Sequence, residues 1–192
     1  MPNWAYSQYH ATGDKEHLQK LHAIMTELEN MKSPGLHENG FGSTWLGNLV
    51  IKLGGDWKKI YCRGSWDNLI YEDGVISFSV ESAWGELNEV RHLIEEKFPD
   101  IKLYYQSEEP GMGIYITNDP AGEYFPDRYY LWVEDEDTDY YPTVESLAKA
   151  VEEITGSRHL TTFDACKKGL AYYASRHHDL CYTIEEFKVI ED

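Results

Sequence analysis

Two neighbouring carboxylates, Glu108 and Glu109, stand beside Pro110-Gly111 in the run YYQSEEPGMGIYI (104–116). Paired carboxylates are what general acid–base chemistry needs. Their setting argues for another role. Strand-like runs lie on both sides, and between them Pro fixes φ while Gly supplies the permissive position after it. Adjacent residues on an extended chain point to opposite faces, so the two carboxylates diverge. The expectation is the charged rim of a strand-joining turn.

The densest charge is EDEDTD (134–139). Asp135, Asp137 and Asp139 match the first, third and fifth positions of a calcium loop, but Tyr140 stands where Gly is needed and Ser146 where a bidentate Glu is needed. No specific metal site is expected. Glu134, Asp135, Glu136, Asp137 and Asp139 are instead candidate binding residues on a solvated loop, which also suits the positive start of a helix near Thr143. The run SRHHDLC (175–181) gathers Arg176, His177, His178, Asp179 and Cys181, and with His159 and Cys166 it has the donor types of a zinc site. Adjacent histidines on a helix end point about 100° apart, however, and HxxxH spacing is missing. His and Arg in a last turn complement the helix dipole without any ligand. No cofactor is expected. The chain lacks GxSxG, a Walker loop and a helix-opening GxGxxG, so no residue is assigned a catalytic role.

Two further features carry binding chemistry. Lys52, Lys58, Lys59 and Arg63 form a local basic cluster with Asp56 among them, read as a solvated face. Trp84 follows Ile76, Phe78 and Val80, which alternate inward, and stands at the mouth of a helix. It is a candidate stacking platform for a ligand; packing of that helix against a sheet is its expected role.

The balance of 17 basic against 34 acidic residues gives a net charge of −17 over 192 residues. Phosphate backbones repel such a chain, so nucleic acid is not an expected partner. Aromatic residues make up 14%, unlike a disordered acidic tail. Cys62, Cys166 and Cys181 form no CxxC pair and read as reduced thiols of a cytoplasmic protein. The N-terminus MPNWAYSQYH has neither a basic nor an apolar signal region, and no apolar run approaches a membrane span.

The elements that must position these groups follow from periodicity. Residues 3–13 alternate and end at Gly13, a strand; Asp14 then caps a helix with Leu18, Leu21, Met25 and Leu28 on one stripe. The Gly- and Pro-rich 33–43 breaks it. LGNLVIKL (46–53) and WKKIYC (57–62) flank Gly-Gly-Asp and predict a hairpin. The runs around Glu72-Asp73-Gly74 predict a stronger one. A helix opening at Ser82 or Gly85 carries Leu87, Val90, Ile94 and Phe98 and stops at Pro99. Strands follow at 101–107, 113–118 and 128–134. Helices follow with Val144, Leu147, Val151 and Ile154, ended by Gly156, and with Phe163, Cys166, Leu170 and Ala174, capped by Thr162. A last strand covers 181–189.

MPNW at the start, RGSW (63–66), SAW (82–84), KFPDI (97–101) and EEPG (108–111) occur in that order. In this, residues 1–135 resemble the YubB ferredoxin-like domain family of bacterial proteins carried on plasmids, phages and integrated elements. Ala5 stands where the pattern has Cys, and the helices of 143–176 lie outside it. The resemblance implies a ferredoxin-like βαββαβ core; the chain as a whole is expected to be α+β, with extra antiparallel strands and, outside the resemblance, a C-terminal two-helix extension. The expected domains are a core over 1–135 and a helical extension over 136–192, ending in a strand and packed on that core. The expected function is a soluble, non-enzymatic accessory protein of mobile-element origin that binds a basic protein partner. Its available surface is the sheet with Tyr104, Tyr105, Tyr115, Tyr129, Tyr130 and Trp132. Two rival classes are an acidic DNA mimic and a metal-dependent hydrolase using the 134–139 carboxylates.

Overall fold

The computed structural model describes residues 2–32, 35–134, 138–177 and 180–191. It is an α+β protein whose chain divides into two compact units, one running to Asn118 and the other spanning Asp119–Glu191.

The first unit begins with β1 (Trp4–Thr12), in which Ala5, Ser7, Tyr9 and Ala11 face the core. Gly13 turns the chain at φ 146°, and a Cβ there would meet the Asp100 carbonyl oxygen at 1.9 Å. Only glycine fits that approach. The Asp14 carboxylate accepts the N–H groups of Glu16 and His17 and starts α1 (Lys15–Glu29), which buries the expected stripe Leu18, Leu21, Met25 and Leu28.

The expected hairpin over 46–62 does not form. Residues Leu46–Lys52 are a helix, α2, and Leu46, Leu49, Val50 and Leu53 are buried at spacings of three, one and three. That is a helical stripe, and it outweighed the Gly-Gly-Asp turn signal that favoured a hairpin. The second hairpin forms as expected: β2 (Gly64–Glu72) and β3 (Val75–Ala83) are joined by Asp73 and Gly74 at φ 50° and 82°. Then come α3 (Asn88–Lys97), β4 (Lys102–Glu109) and β5 (Ile114–Thr117). Across the sheet the order is β2-β3-β1-β4-β5, and every pairing is antiparallel. One face carries the core with α1, α2 and α3, around Trp66, Leu21, Met25, Leu49, Ile94 and Leu103.

Two expectations for β3 and α3 need correction. The strand runs through Ser82 and Ala83, so the helix begins only at Asn88. Trp84 lies between them at φ 74° and is 46% exposed, so it is not the anchor that packs α3 on the sheet. The buried ring is Trp66, 1% exposed.

The second unit has its own sheet, β7 (Asp139–Tyr141), β6 (Tyr129–Val133) and β8 (Tyr182–Glu186) in that order. Thr143 caps α4 (Val144–Thr155) through a capping box, and Gly156 ends it at φ 69°. Thr162 caps α5 (Phe163–Ala174). Leu131 and Val133 of β6 pack with Leu147, Val151, Cys166, Leu170 and Ile184. The expected boundary at 135 therefore moves to 118: β6 is hydrogen-bonded to β7 and β8, and its buried residues meet α4 and α5. The single strand expected over 181–189 is interrupted at Phe187, which is buried and donates its N–H to the Arg128 carbonyl. A two-residue strand, β9 (Lys188–Val189), follows. No helix of the described residues is long and apolar enough to cross a membrane.

Candidate functional site

In the first unit, the segment before α2 and the connection from α2 to β2 enclose a cleft of about 480 Å³. This is within the roughly 300–1,000 Å³ of small-molecule sites. Two asparagines fix its first wall. The Asn39 carboxamide oxygen accepts the N–H groups of Phe41 and Gly42, at 2.7 and 2.8 Å. Asn48, fully buried on α2, accepts the Leu36 N–H at 3.2 Å and donates to the carbonyls of Gly42 and Ser43 at 3.1 and 2.9 Å. Asn48→Ala removes all three bonds from a buried site. The expected cost is about 1–3 kcal/mol, with faster amide exchange at 36–43 than elsewhere, read by urea unfolding and hydrogen exchange.

The second wall is folded over Asp56, whose carbonyl accepts the N–H groups of Lys59 and Ile60. The Tyr61 N–H is held by the Glu89 carboxylate at 2.8 Å. Between the walls, aromatic rings meet. Trp57 lies 4.5 Å from the His37 ring at 35°, and 5.4 Å from Trp45 at 72°. Trp45 is buried, Trp57 half-buried, and Tyr61 is 45% exposed at the cleft. Lys58 sits with its ammonium 5.7 Å from the Trp57 centroid.

Charge gathers at the same place. Among the described residues, Lys58, Lys59 and Arg63 line the cleft, with Glu38 as the one acid on the lining. Lys59 approaches Asp56 at 3.7 Å, whereas Lys58 and Arg63 have no ion pair among the described residues. The basic cluster expected as a solvated face is thus split: Lys52 bonds Glu27 at 2.7 Å outside the cleft, and the other three border it. Sequence reading missed His37, Phe41, Trp45, Trp57 and Tyr61 as neighbours. The available signal was HENGFGSTW followed by WKKIYCR, aromatic and basic residues interleaved on both sides of an apolar stretch.

Cys62 also lines the cleft, but as a buried thiol pushed up to about 11 by burial and, secondarily, by Glu89. A neutral thiol is a poor nucleophile. The unfolded thiol ionises first, near about 8.5, so the stability held by the neutral folded thiol is full below that pH and lost as pH rises towards 11. Cys62→Ala is expected to show a shallower fall in its urea midpoint between about pH 8 and pH 10 than the parent does.

The other expected sites come out as follows. The carboxylates diverge at the turn, but Glu109 is buried rather than on a charged rim, accepting the N–H groups of Gly111 and Met112 at 2.9 and 2.7 Å, while Glu108 pairs across the ladder with Tyr115; the left-handed position of the turn is Gly113, at φ 65°, and not the expected Gly111. Glu134 ties the end of β6 to the start of β8, its carboxylate accepting the Cys181 N–H at 3.0 Å. Asp139 begins β7 and accepts the Tyr141 hydroxyl at 3.3 Å. Burial, then Asp139, pushes that phenol up to about 12. Asp135, Glu136 and Asp137 lie outside the described residues, as do His178 and Asp179. Cys166 is in the core of the second unit and Cys181 is exposed, and among the described residues no three His, Cys, Asp or Glu side chains converge as metal ligands. The expected aromatic surface is broken up: Tyr105 and Tyr115 are buried, and Tyr104, Tyr129, Tyr130 and Trp132 are half-buried.

No family model matches the chain, and no curated protein matches it. Among solved structures, the chain is aligned with a crystal structure of an unknown protein from Galdieria sulphuraria. The two share 10% identity over 96% of this chain and 98% of that one, with a TM-score of 0.26.

Proposed function

We propose that this protein is a non-enzymatic accessory binding module whose cleft receives its ligand, built on a ferredoxin-like core. The strand order β2-β3-β1-β4, with α1 and α2 between the first two strands in sequence and α3 between the last two, supports that core. The resemblance to the YubB ferredoxin-like domain family and the mobile-element origin belong to the same reading. So does a basic protein partner, for which the acids of the second unit are the suited surface.

The observation that carries the reading is the cleft at 37–63. Its rings stay partly open to solvent although its walls are fixed by buried asparagine and backbone hydrogen bonds. A site organised before binding spends less of its interaction energy on ordering. Its thiol is held neutral, and no residue beside it forms a nucleophile–base pair among the described contacts. The test is a fragment screen read by indole and amide chemical shifts. Hits are expected to cluster on Trp57 and Tyr61 and to vanish in Trp57→Ala. Hits that cluster instead on Trp84 and Met112, both exposed at another part of the unit, would move the site there.

A further inference from the structure

The binding-module reading leaves the ligand open, and the cleft's chemistry narrows it. A chain of net charge −17 repels anions on average, so cationic side chains at a cleft that are not tied up in ion pairs mark a place where an anion can still be held, even with the Asp56 and Glu89 carboxylates near by, bonded to the backbone N–H groups of Lys58 and Tyr61. Lys58 and Arg63 are such a pair: both are exposed, both border the cleft, and neither has an ion-pair partner among the described residues. Lys59, shared with Asp56, adds a third positive group at the rim. Among the described residues the lining includes one acid, Glu38, which is exposed.

A guanidinium and ammonium groups bordering one cleft suit a multiply charged oxyanion better than a single carboxylate. Arg offers a planar fork of donors and Lys a movable point charge, the combination that phosphate groups take. The anion is not the whole ligand, however. Behind the cations stand flat π-surfaces, with Trp57 and His37 at 4.5 Å and Tyr61 open to solvent. Such rings hold a planar heterocycle by stacking, independently of its substituents. The volume of about 480 Å³ suits one small molecule.

We infer that the cleft at 37–63 binds a nucleoside phosphate, its base stacked against the open faces of the Trp57–His37 pair and Tyr61 and its phosphates held by Lys58 and Arg63. The inference rests on the proposed function, and deepens it by naming the ligand class. A free nucleotide is favoured over a nucleic-acid strand because the chain's mean charge repels every phosphate that extends beyond the cleft.

The experiment is calorimetric titration of the full chain with ADP, with adenosine, with pyrophosphate and with a single-stranded dodecanucleotide, each at low and high salt. ADP is expected to saturate one site, with adenosine and pyrophosphate each weaker by about tenfold or more, since either half supplies only part of the contact. Added salt should weaken ADP and pyrophosphate and spare adenosine. Trp57→Ala should weaken ADP by about tenfold or more. The Lys58→Ala/Arg63→Ala variant should do the same; both side chains are exposed, so this variant keeps the test valid if Trp57→Ala fails to fold.

Pyrophosphate binding as tightly as ADP would reduce the site to an anion patch and overturn the inference. A dodecanucleotide binding more tightly than ADP would make it a strand reader, which also overturns it, as would ADP binding untouched by either variant. If ADP fails to bind at about 1 mM while fragments still shift Trp57, the ligand class is wrong and the binding module stands. If neither binds at the cleft, both readings fall.

Discussion

Trp66→Ala is expected to lower the stability of the first unit by about 3–5 kcal/mol, the range for removing a fully buried large aromatic. The indole is 1% exposed and packs in the core under β2 and β3, and its Nε1–H donates to Glu29 at 3.0 Å. The substitution leaves both a cavity and a carboxylate that has lost its donor. Urea unfolding followed by tryptophan fluorescence and far-UV circular dichroism measures it. Trp84→Gly is the control. It removes a ring that is 46% exposed and relieves a φ of 74°, which costs an L-residue about 1–2 kcal/mol. The two terms oppose each other, so its midpoint should lie within about 1 kcal/mol of the parent. A Trp84 variant that destabilised as much as Trp66→Ala would return Trp84 to the core.

The second large effect is expected at Arg91. Its side chain is 2% exposed, its Nε donates to Glu86 at 3.1 Å, its Nη1 lies 3.8 Å from Glu95, and its guanidinium lies 5.1 Å from the centroid of Tyr105. The Tyr9 hydroxyl donates to the same Glu86 oxygen at 3.1 Å. Burial and then Glu86 raise the Tyr9 phenol well above its ordinary value, so the hydroxyl stays protonated and keeps donating. Arg91→Ala removes the cation beside the Glu86 carboxylate, whose side chain is 5% exposed, and leaves that charge buried with neutral donors such as Tyr9; the expected cost is about 3–5 kcal/mol. Glu86→Gln with Arg91→Met should recover much of that loss, because a buried ion pair contributes less than an orphaned charge costs. Urea midpoints of the two single variants and the double variant close the cycle. A loss below about 1 kcal/mol in Arg91→Ala would mean that water reaches Glu86.

The cleft is sensitive to different positions from those two. Trp66 and Arg91 hold the sheet and helices together, whereas Asn39 and Asn48 shape the cleft wall through backbone bonds. Loss of stability and loss of binding are therefore expected to separate: Lys58→Ala/Arg63→Ala changes exposed side chains and Trp66→Ala does not line the cleft.

Elements whose signal is local were legible in the order of residues alone. The stripe Leu18, Leu21, Met25 and Leu28 after a capping Asp14, the positive-φ pair Asp73-Gly74, the turn at Pro110-Gly111, and the Thr143 and Thr162 caps each rest on residues within a few positions of one another. Their chemistry needs no distant partner, so alternation and capping sufficed. The other elements depended on contacts between distant parts of the chain. LGNLVIKL has an apolar pattern compatible with either period, and packing of Leu46, Leu49 and Val50 on the core made it a helix. Trp66 and Trp84 each sit at a β-strand or its end, and the sheet's register buried one while the φ reversal after Ala83 exposed the other. The strand at 129–133 belongs to the second unit because β7 and β8, the latter about fifty residues on, supply its ladder partners. The cleft arose in the same way. His37, Trp57 and Arg63 are up to 26 positions apart, and it took an unanticipated helix, with Asn48 buried upon it, to close that distance.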